Sequence, residues 1–542
     1  MQSTTEDPGT AKRSARAACG LATTVTRRRG PAAGALASIL LAALPLRAAP
    51  PATQPSLQDL AAELTAALTR SGAAVGVSAI ELRSGSVLID IDADEPLAPA
   101  SNQKILTSAF ALSRLGAGFR FLTGVFAVGG DLLVAGDGDP TLGDPLLAAD
   151  ANGSIYAEPD RWAAAAKAAG LRSIRHVLVL RDPRGELRCG DWPAGQLDHW
   201  YAAPVALLNF HDNCFDVTFR AAPTGGVEPV VRPESRYIRV IDRLSRGGKH
   251  LWSLRDDDAE AAVTLAGSAS KPSDEPFSVA VRNPPMLLGR VFADRLVRAG
   301  LAVAGEVRAA WPGEIDWPSA RLLARSETPL AVVMRRANKR SLNMMAEAMF
   351  LRAGDGTWAG SREMMEAELA KRFGLRAGEL TVRDGSGLSR ANRAAPAALT
   401  RVLREMLWRA DRSLLLDSLP AGGVDGTLEG RFTAAAVRGR VVAKTGTVAG
   451  VSALSGYVAD RRGVGRVAFS VLVNRLRDGA AAARHLQDAI VGLLIADLDR
   501  RGAPAPAPVP LAPPRPPPGG TIIEEQAAWD NAGKRPDASS QR

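Results

Sequence analysis

Pro99-Ala100-Ser101-Asn102-Gln103-Lys104 opens an apolar run through Ile105, Leu106, Phe110, Leu112 and Leu115. Apolar residues recurring at three and four positions predict a helix, and in its first turn Ser101 and Lys104, three apart, project from one face. A hydroxyl beside an amine at a helix N-terminus suits acyl transfer, because the free N–H groups and positive dipole end there favour a developing oxyanion. Ser-x-x-Lys is short enough to arise by chance, and Ser268-Ala269-Ser270-Lys271 repeats it. There Pro272 follows, which disfavours helix at Lys271, so Ser101 is the better candidate.

Two further stretches gain meaning from their order after Ser101. Ser341-Leu342-Asn343 enters a helical run from Met344 to Phe350; alone, it reads as a helix cap. Lys444-Thr445-Gly446-Thr447 ends the strand candidate Arg438 to Ala443. Alone it reads as a turn after a strand, although a small Gly446 at a strand edge permits close approach of a substrate backbone. A nucleophile helix, then Ser-x-Asn between helices, then Lys-Thr-Gly on a strand is the constellation of penicillin-binding proteins and class A β-lactamases.

The resemblance sharpens to the D-alanyl-D-alanine carboxypeptidase/endopeptidase family, the class C low-molecular-mass penicillin-binding proteins or S13 peptidases. It rests on the roughly 240 residues from Ser101 to Ser341, on Asp384-Gly385-Ser386-Gly387-Leu388-Ser389-Arg390 and on Gly423-Val424-Asp425-Gly426-Thr427-Leu428. Gly138-Asp139-Pro140-Thr141-Leu142 and Asn213-Cys214-Phe215-Asp216-Val217-Thr218 look similar too, and the likeness covers about residues 55 to 498. It implies that Ser101 is acylated and that Lys104 accepts its proton, which at neutral pH requires burial and a nearby positive charge such as Lys444. By the same resemblance Ser341 relays a proton to the leaving amine and Asn343 holds the substrate amide. Lys444 and Thr445 would anchor a terminal carboxylate, with Gly446 and Thr447 beside it; N–H groups of Ser101 and Thr447 would form the oxyanion hole. Leu342 stands where many relatives carry Asp. The Asp384 to Arg390 run has no catalytic role derivable from its residues and reads as a glycine-rich turn.

Elements around these motifs make an α+β fold. Ser56 caps a helix bearing Leu57, Leu60, Leu64 and Leu68, with Asp59 completing the cap. Val75 to Leu82 and Ser86 to Ile91 form a hairpin around Ser84-Gly85. Near the other end, Arg438 to Ala443, Val451 to Val458 and Val464 to Val473 are strands, followed by a helix with Leu486, Ile490, Leu493 and Leu494 on one face. Helical runs occupy Met344 to Arg352, Glu363 to Phe373 and Ala397 to Arg409. One antiparallel sheet closed by both ends, with a helical half, matches the transpeptidase domain of penicillin-binding proteins and β-lactamases and makes the middle an insertion. The expected division is 1–49 an export signal, 50–117 and 321–500 the discontinuous serine DD-peptidase domain, 118–320 one or two mainly β accessory domains, and 501–542 a tail. Nine prolines between Ala503 and Pro518 favour extended polyproline there.

Composition narrows the function classes. The chain has 542 residues, 46% hydrophobic and 23% charged, the make-up of a globular protein of several domains. Half of the +10 net charge falls in residues 1–49, and the remainder forms no basic stripe interleaved with aromatics, which excludes nucleic acid as a partner. Arg27-Arg28-Arg29, the apolar run Pro31 to Leu46 and the small Ala48-Ala49 read as a signal for export to the periplasm or beyond; an uncleaved leader would instead give a loose membrane association. In that oxidising setting Cys189 and Cys214 are expected as a disulfide, with two buried free thiols as the alternative. No H-E-x-x-H, Walker A or G-x-S-x-G sequence occurs, so no metal or cofactor is expected. The implied partners are peptidoglycan stem peptides, with β-lactams as covalent inhibitors. A β-lactamase or esterase on this fold would need rapid deacylation, and no family Glu motif is placed for it. A catalytically idle wall-binding protein need not keep Ser101, Lys104, Ser341, Asn343 and Lys444 together.

Overall fold

The computed structural model describes residues 55–502 apart from 186 and 224, so the expected leader and the tail beyond 502 lie outside it. Its largest antiparallel sheet runs in the order Val441–Val448, Val451–Ala459, Gly465–Asn474, Ala74–Glu81, Val87–Ile91. Strands from the two ends of the chain meet where Ala74–Glu81 pairs with Gly465–Asn474. Period-2 alternation separates two cores. Leu454, Val458, Phe469 and Val471 face the helices Leu57–Arg70 and Ala481–Arg501, while Tyr457, Ala468 and Leu472 face the helical half. The first helix begins as expected: Ser56 Oγ accepts from Asp59 N at 3.1 Å and Ser56 N donates back to Asp59 at 3.0 Å.

The helix Gln103–Leu115 is buried from Gln103 through Leu112. A helix enclosed on all sides holds its first turn rigidly, and it packs against Asn343–Ala353, Trp358–Phe373 and Pro396–Leu407. The sheet is tied to this half by Tyr457, whose hydroxyl donates to Leu403 O at 2.7 Å.

Four expectations are corrected. The strand expected over Arg438 to Ala443 is Val441–Val448, pairing through Val448↔Val451, so Lys444 to Thr447 lie inside it and not after it. Arg321–Pro329 pairs with Arg120–Val128, so a segment expected in the peptidase domain joins the sheet of the middle region. That sheet, in the order Val307–Ala310, Val177–Leu180, Asp131–Gly136, Arg120–Val128, Arg321–Pro329, is covered by the helices Ala157–Ala168 and Pro284–Arg298. The middle therefore stays mainly β, with smaller β-sheets between Cys214 and Ala280, but it carries two packed helices that were not expected. The signals for the second helix were local: Asn283 accepts from Met286 N, prolines occupy its first turn, and Leu287, Leu288, Val291 and Leu296 form a buried face.

The fourth correction concerns Cys189 and Cys214, which are buried free thiols and not a disulfide. Cys189 Sγ donates to Arg383 O at 3.6 Å, whereas Cys214 starts the strand Cys214–Ala221 opposite Ala280. Burial raises both thiols above their usual range and keeps them protonated. Denatured without reductant, the chain is expected to take iodoacetamide on the peptides carrying Cys189 and Cys214, and on neither when native. A cross-linked peptide pair in the mass spectrum would contradict this.

Candidate active site

Five of the expected residues converge between the edge strand Val441–Val448 and the helical half. Ser101 sits in a short turn, Ala100–Asn102, that runs into the helix Gln103–Leu115. Lys104 Nζ lies 2.8 Å from Ser101 Oγ and also donates to Asn343 Oδ1 at 2.6 Å and Ser386 O at 2.9 Å. Lys444 Nζ lies 2.9 Å from Ser341 Oγ and donates to Thr445 O at 2.8 Å. Both lysines are fully buried, while Ser101 and Ser341 keep partial exposure. A reactant thus meets two hydroxyls, each backed by an amine that solvent cannot reach.

The turn and the strand touch with no room for a side chain. A Cβ on Gly446 would stand 3.0 Å from Ser101 N, Pro99 O and Asn102 Nδ2. Asn102 Nδ2 donates to Lys444 O at 3.0 Å, clamping the two together. Gly446 was expected to make space for substrate; the space it makes is taken up by the turn that carries Ser101. Thr445 is buried, with its hydroxyl 2.7 Å from that of Thr427, and Thr447 is half-exposed on the same strand.

Ser341 does not cap its helix. Asn343–Ala353 has Leu342 at its cap position with no side-chain hydrogen bond, and Ser341 adopts a left-handed φ of 59°. That conformation is costly for a residue with a Cβ and needs support. Lys339, just before it, donates to both carboxylate oxygens of Asp425 at 2.7 and 2.6 Å in a buried pair. Burial lowers the Lys339 pKa, and the Asp425 charge opposes this. Removing either partner would leave a buried charge alone, at about 3–5 kcal/mol. Ala421 N also donates to Asp425 at 2.9 Å, so the Gly423 to Leu428 run buttresses the Ser341 turn and brings Thr427 to Thr445.

Sequence reading missed the supports behind Lys104. Ser386 O comes from the Asp384 to Arg390 run, whose glycine at 387 has φ 84°; a Cβ there would stand 1.9 Å from Ala100 O. The run is a turn, as expected, but one pressed against Ala100, the neighbour of Ser101. From the middle region, Tyr201 O accepts from Asn343 Nδ2 at 2.8 Å, and Trp192 Nε1 donates to Asp384 at 2.9 Å. Neither contact leaves a trace in local sequence. The second Ser-x-x-Lys match lies partly on the strand Ala262–Ala269, with Lys271 exposed beyond it, as the following proline foretold.

Comparison with known proteins identifies the family. The D-Ala-D-Ala carboxypeptidase 3 (S13) family matches residues 57–496. A D-alanyl-D-alanine carboxypeptidase of Actinomadura sp. (strain R39) is 31% identical over 497 residues, 84% of this chain and 89% of that protein. The Haemophilus influenzae D-alanyl-D-alanine carboxypeptidase DacB is 25% identical over 433 residues, 75% of this chain and 87% of that one. The crystal structure of penicillin-binding protein 4 from Haemophilus influenzae superposes with a TM-score of 0.66 at 24% identity, covering 80% of this chain and 99% of that one, and shares its α+β fold. With the family matched along nearly all the described residues, the chain belongs to the D-Ala-D-Ala carboxypeptidase 3 (S13) family.

Proposed function

We propose that this chain is an exported serine-type D-Ala-D-Ala carboxypeptidase and DD-endopeptidase that cleaves peptidoglycan stem peptides through an acyl-enzyme on Ser101 and is acylated there by β-lactams. The observation that carries this reading is the set of contacts from Ser101 to Lys104 and Asn343, with Ser341 and Lys444 on the opposite wall. Export is read from the leader, and the periplasm or another extracytoplasmic space is where the substrate lies.

The surroundings of Lys104 suit a base. Full burial penalises an ammonium. A neutral amine has two N–H groups and one lone pair. Asn343 Oδ1 and Ser386 O only accept, so they take the two N–H groups; the amide of Asn343 is held in that orientation because its Nδ2 donates to Tyr201 O. The Ser101 hydroxyl, 2.8 Å from Nζ, can donate, and its proton meets the lone pair. As Oγ bonds to the carbonyl carbon of the penultimate D-Ala, this proton passes to Lys104 Nζ. The negative charge gathers on the carbonyl oxygen beside the N–H groups of Ser101 and Thr447.

Collapse of the adduct breaks the C–N bond, and Ser341, backed by Lys444, hands a proton to the departing amine. Lys444 also supplies positive charge, and Thr445 and Thr447 hydroxyls, for the terminal carboxylate of the substrate. In a β-lactam the broken C–N bond belongs to the ring, so the amine stays attached and the adduct persists. Water attacking the acyl-enzyme from a peptide substrate gives a proton to Ser341, replacing the one passed to the amine, while Lys104 returns its proton to Ser101 Oγ as the C–O bond breaks and the shortened stem leaves.

Incubation with a fluorescent penicillin is expected to give one stable adduct on the Ser101 peptide of the wild-type chain and none on Ser101→Ala, with release of D-Ala from pentapeptide muropeptides lost in the same variant. Drug hydrolysed without a lasting adduct would instead make the chain a β-lactamase. Gly446→Ala would push the strand off the nucleophile turn. It is expected to lower the acylation rate constant about 100-fold while the circular dichroism spectrum stays that of the wild type.

A further inference from the structure

Two carboxylates that touch neither Ser101 nor Ser341 lie fully buried behind Lys104, and both are occupied with the turn Gly385-Ser386-Gly387. Glu347 Oε1 accepts from Ser386 N at 2.8 Å, and Oε2 accepts from Gly385 N at 3.0 Å and from Trp358 Nε1 at 3.1 Å. Asp384 accepts from Gly387 N at 2.7 Å, Ser389 N at 2.6 Å, Asn392 Nδ2 at 2.8 Å and Trp192 Nε1 at 2.9 Å. Each of these partners is an N–H donor to a carboxyl oxygen. Burial, and then the neighbouring Asp384, push the Glu347 carboxyl up to about 8 against those donors.

The geometry leads to Lys104 along one peptide plane. The carbonyl of Ser386 accepts from Lys104 Nζ, and the N–H at the other end of the same peptide, that of Gly387, donates to Asp384. A carboxylate on the N–H side polarises the peptide and strengthens its carbonyl as an acceptor. The preceding peptide is fixed at both ends as well, since Ser386 N is held by Glu347 and Gly385 O accepts from Thr107 Oγ1 at 2.7 Å. Glu347 lies four residues after Asn343 on the helix Asn343–Ala353, on the same face one turn along. Asn343 therefore takes Lys104 from one side while Glu347 holds the loop that takes it from the other.

We infer that Glu347 and Asp384 are positioning residues that clamp the Gly385-Ser386-Gly387 turn, so that the Ser386 carbonyl occupies one N–H of Lys104 and the amine's lone pair is left aimed at Ser101. The inference rests on the reading of Lys104 as base. A Lys104→Ala chain acylated at the wild-type rate would sink that reading, whatever the clamp variants do.

Glu347→Gln and Asp384→Asn keep the side-chain shape but replace one acceptor oxygen with an NH2 group that opposes a backbone N–H. Each is tested by single-turnover acylation with saturating fluorescent penicillin. Amplitude counts the competent molecules, and the first-order rate constant reports how each one reacts, so a loss of folded protein and a loss of positioning read separately. The expected result is a rate constant lowered about 10- to 100-fold in both variants, with the drug concentration for half-saturation little changed. A reduced amplitude at the wild-type rate constant in both variants would make the two carboxylates supports of folding alone and overturn the proposal.

Discussion

Complete burial of two lysine side chains, Lys104 and Lys444, is the constraint that the rest of this structure answers. An amine removed from water must find hydrogen-bond partners or lose several kcal/mol, and neither Lys104 nor Lys444 finds them on its own element alone. Lys104 takes Asn343 from one helix and Ser386 from a distant loop; Lys444 takes Ser341 from the turn before that helix. These partners lie between 103 and 282 residues away in the chain. Satisfying two buried amines thus requires the sheet, the helical half and the loop between them to close together. The reactive arrangement at Ser101 follows from the same closure, since its hydroxyl is the one neighbour of Lys104 in that set able to give a proton.

Close approach is enforced by backbone as much as by side chains. The turn that carries Ser101 is pinched between the strand at Gly446 and the loop at Gly387; a Cβ would press tightly on it at the first place and collide with it at the second. Ala100, between them, is held at φ 45°, a conformation an alanine seldom adopts unless its surroundings dictate it. Strain at Ala100 and at Ser341 flanks the two hydroxyls that face the reactant. Packed neighbours and the Lys339–Asp425 pair hold it there, so the hydroxyls do not need to be ordered again at each turnover.

The middle region enters the same closure. Tyr201 fixes the amide of Asn343 and Trp192 fixes the carboxylate of Asp384, while Trp192 stacks edge-on against Trp358, which donates to Glu347. Contacts from this region therefore reach both sides of Lys104. An insertion that served only to bind wall polymer elsewhere would have no reason to orient that amide and that acid. Its place in the chain, between the helix Gln103–Leu115 and the Ser341 turn, lets its packing set how those two elements meet.

Much of this was legible because periodicity and motif order are carried by local residues. The helix behind Ser56, the sheet joining the two ends and the order Ser101, Ser341, Lys444 all follow from spacing. What escaped depends on burial and on distance. Lys444-Thr445-Gly446 has the composition of a turn, and only pairing with Val451–Ala459 makes it strand. Alanine-rich Ala157–Ala168 and the proline-led Pro284–Arg298 sit among strand-like stretches that drew attention from their caps. Two cysteines behind a leader read as an export signal invite pairing, yet one packs against Arg383 and the other lies in a strand opposite Ala280. Glu347 is the most instructive case, because a glutamate in a helix ordinarily means a solvated face. Its spacing of four from Asn343 was the available signal. A charged residue on the face that already carries a buried site residue has no route to solvent, so it must have donors waiting for it, and those donors are the backbone of the loop that holds Lys104.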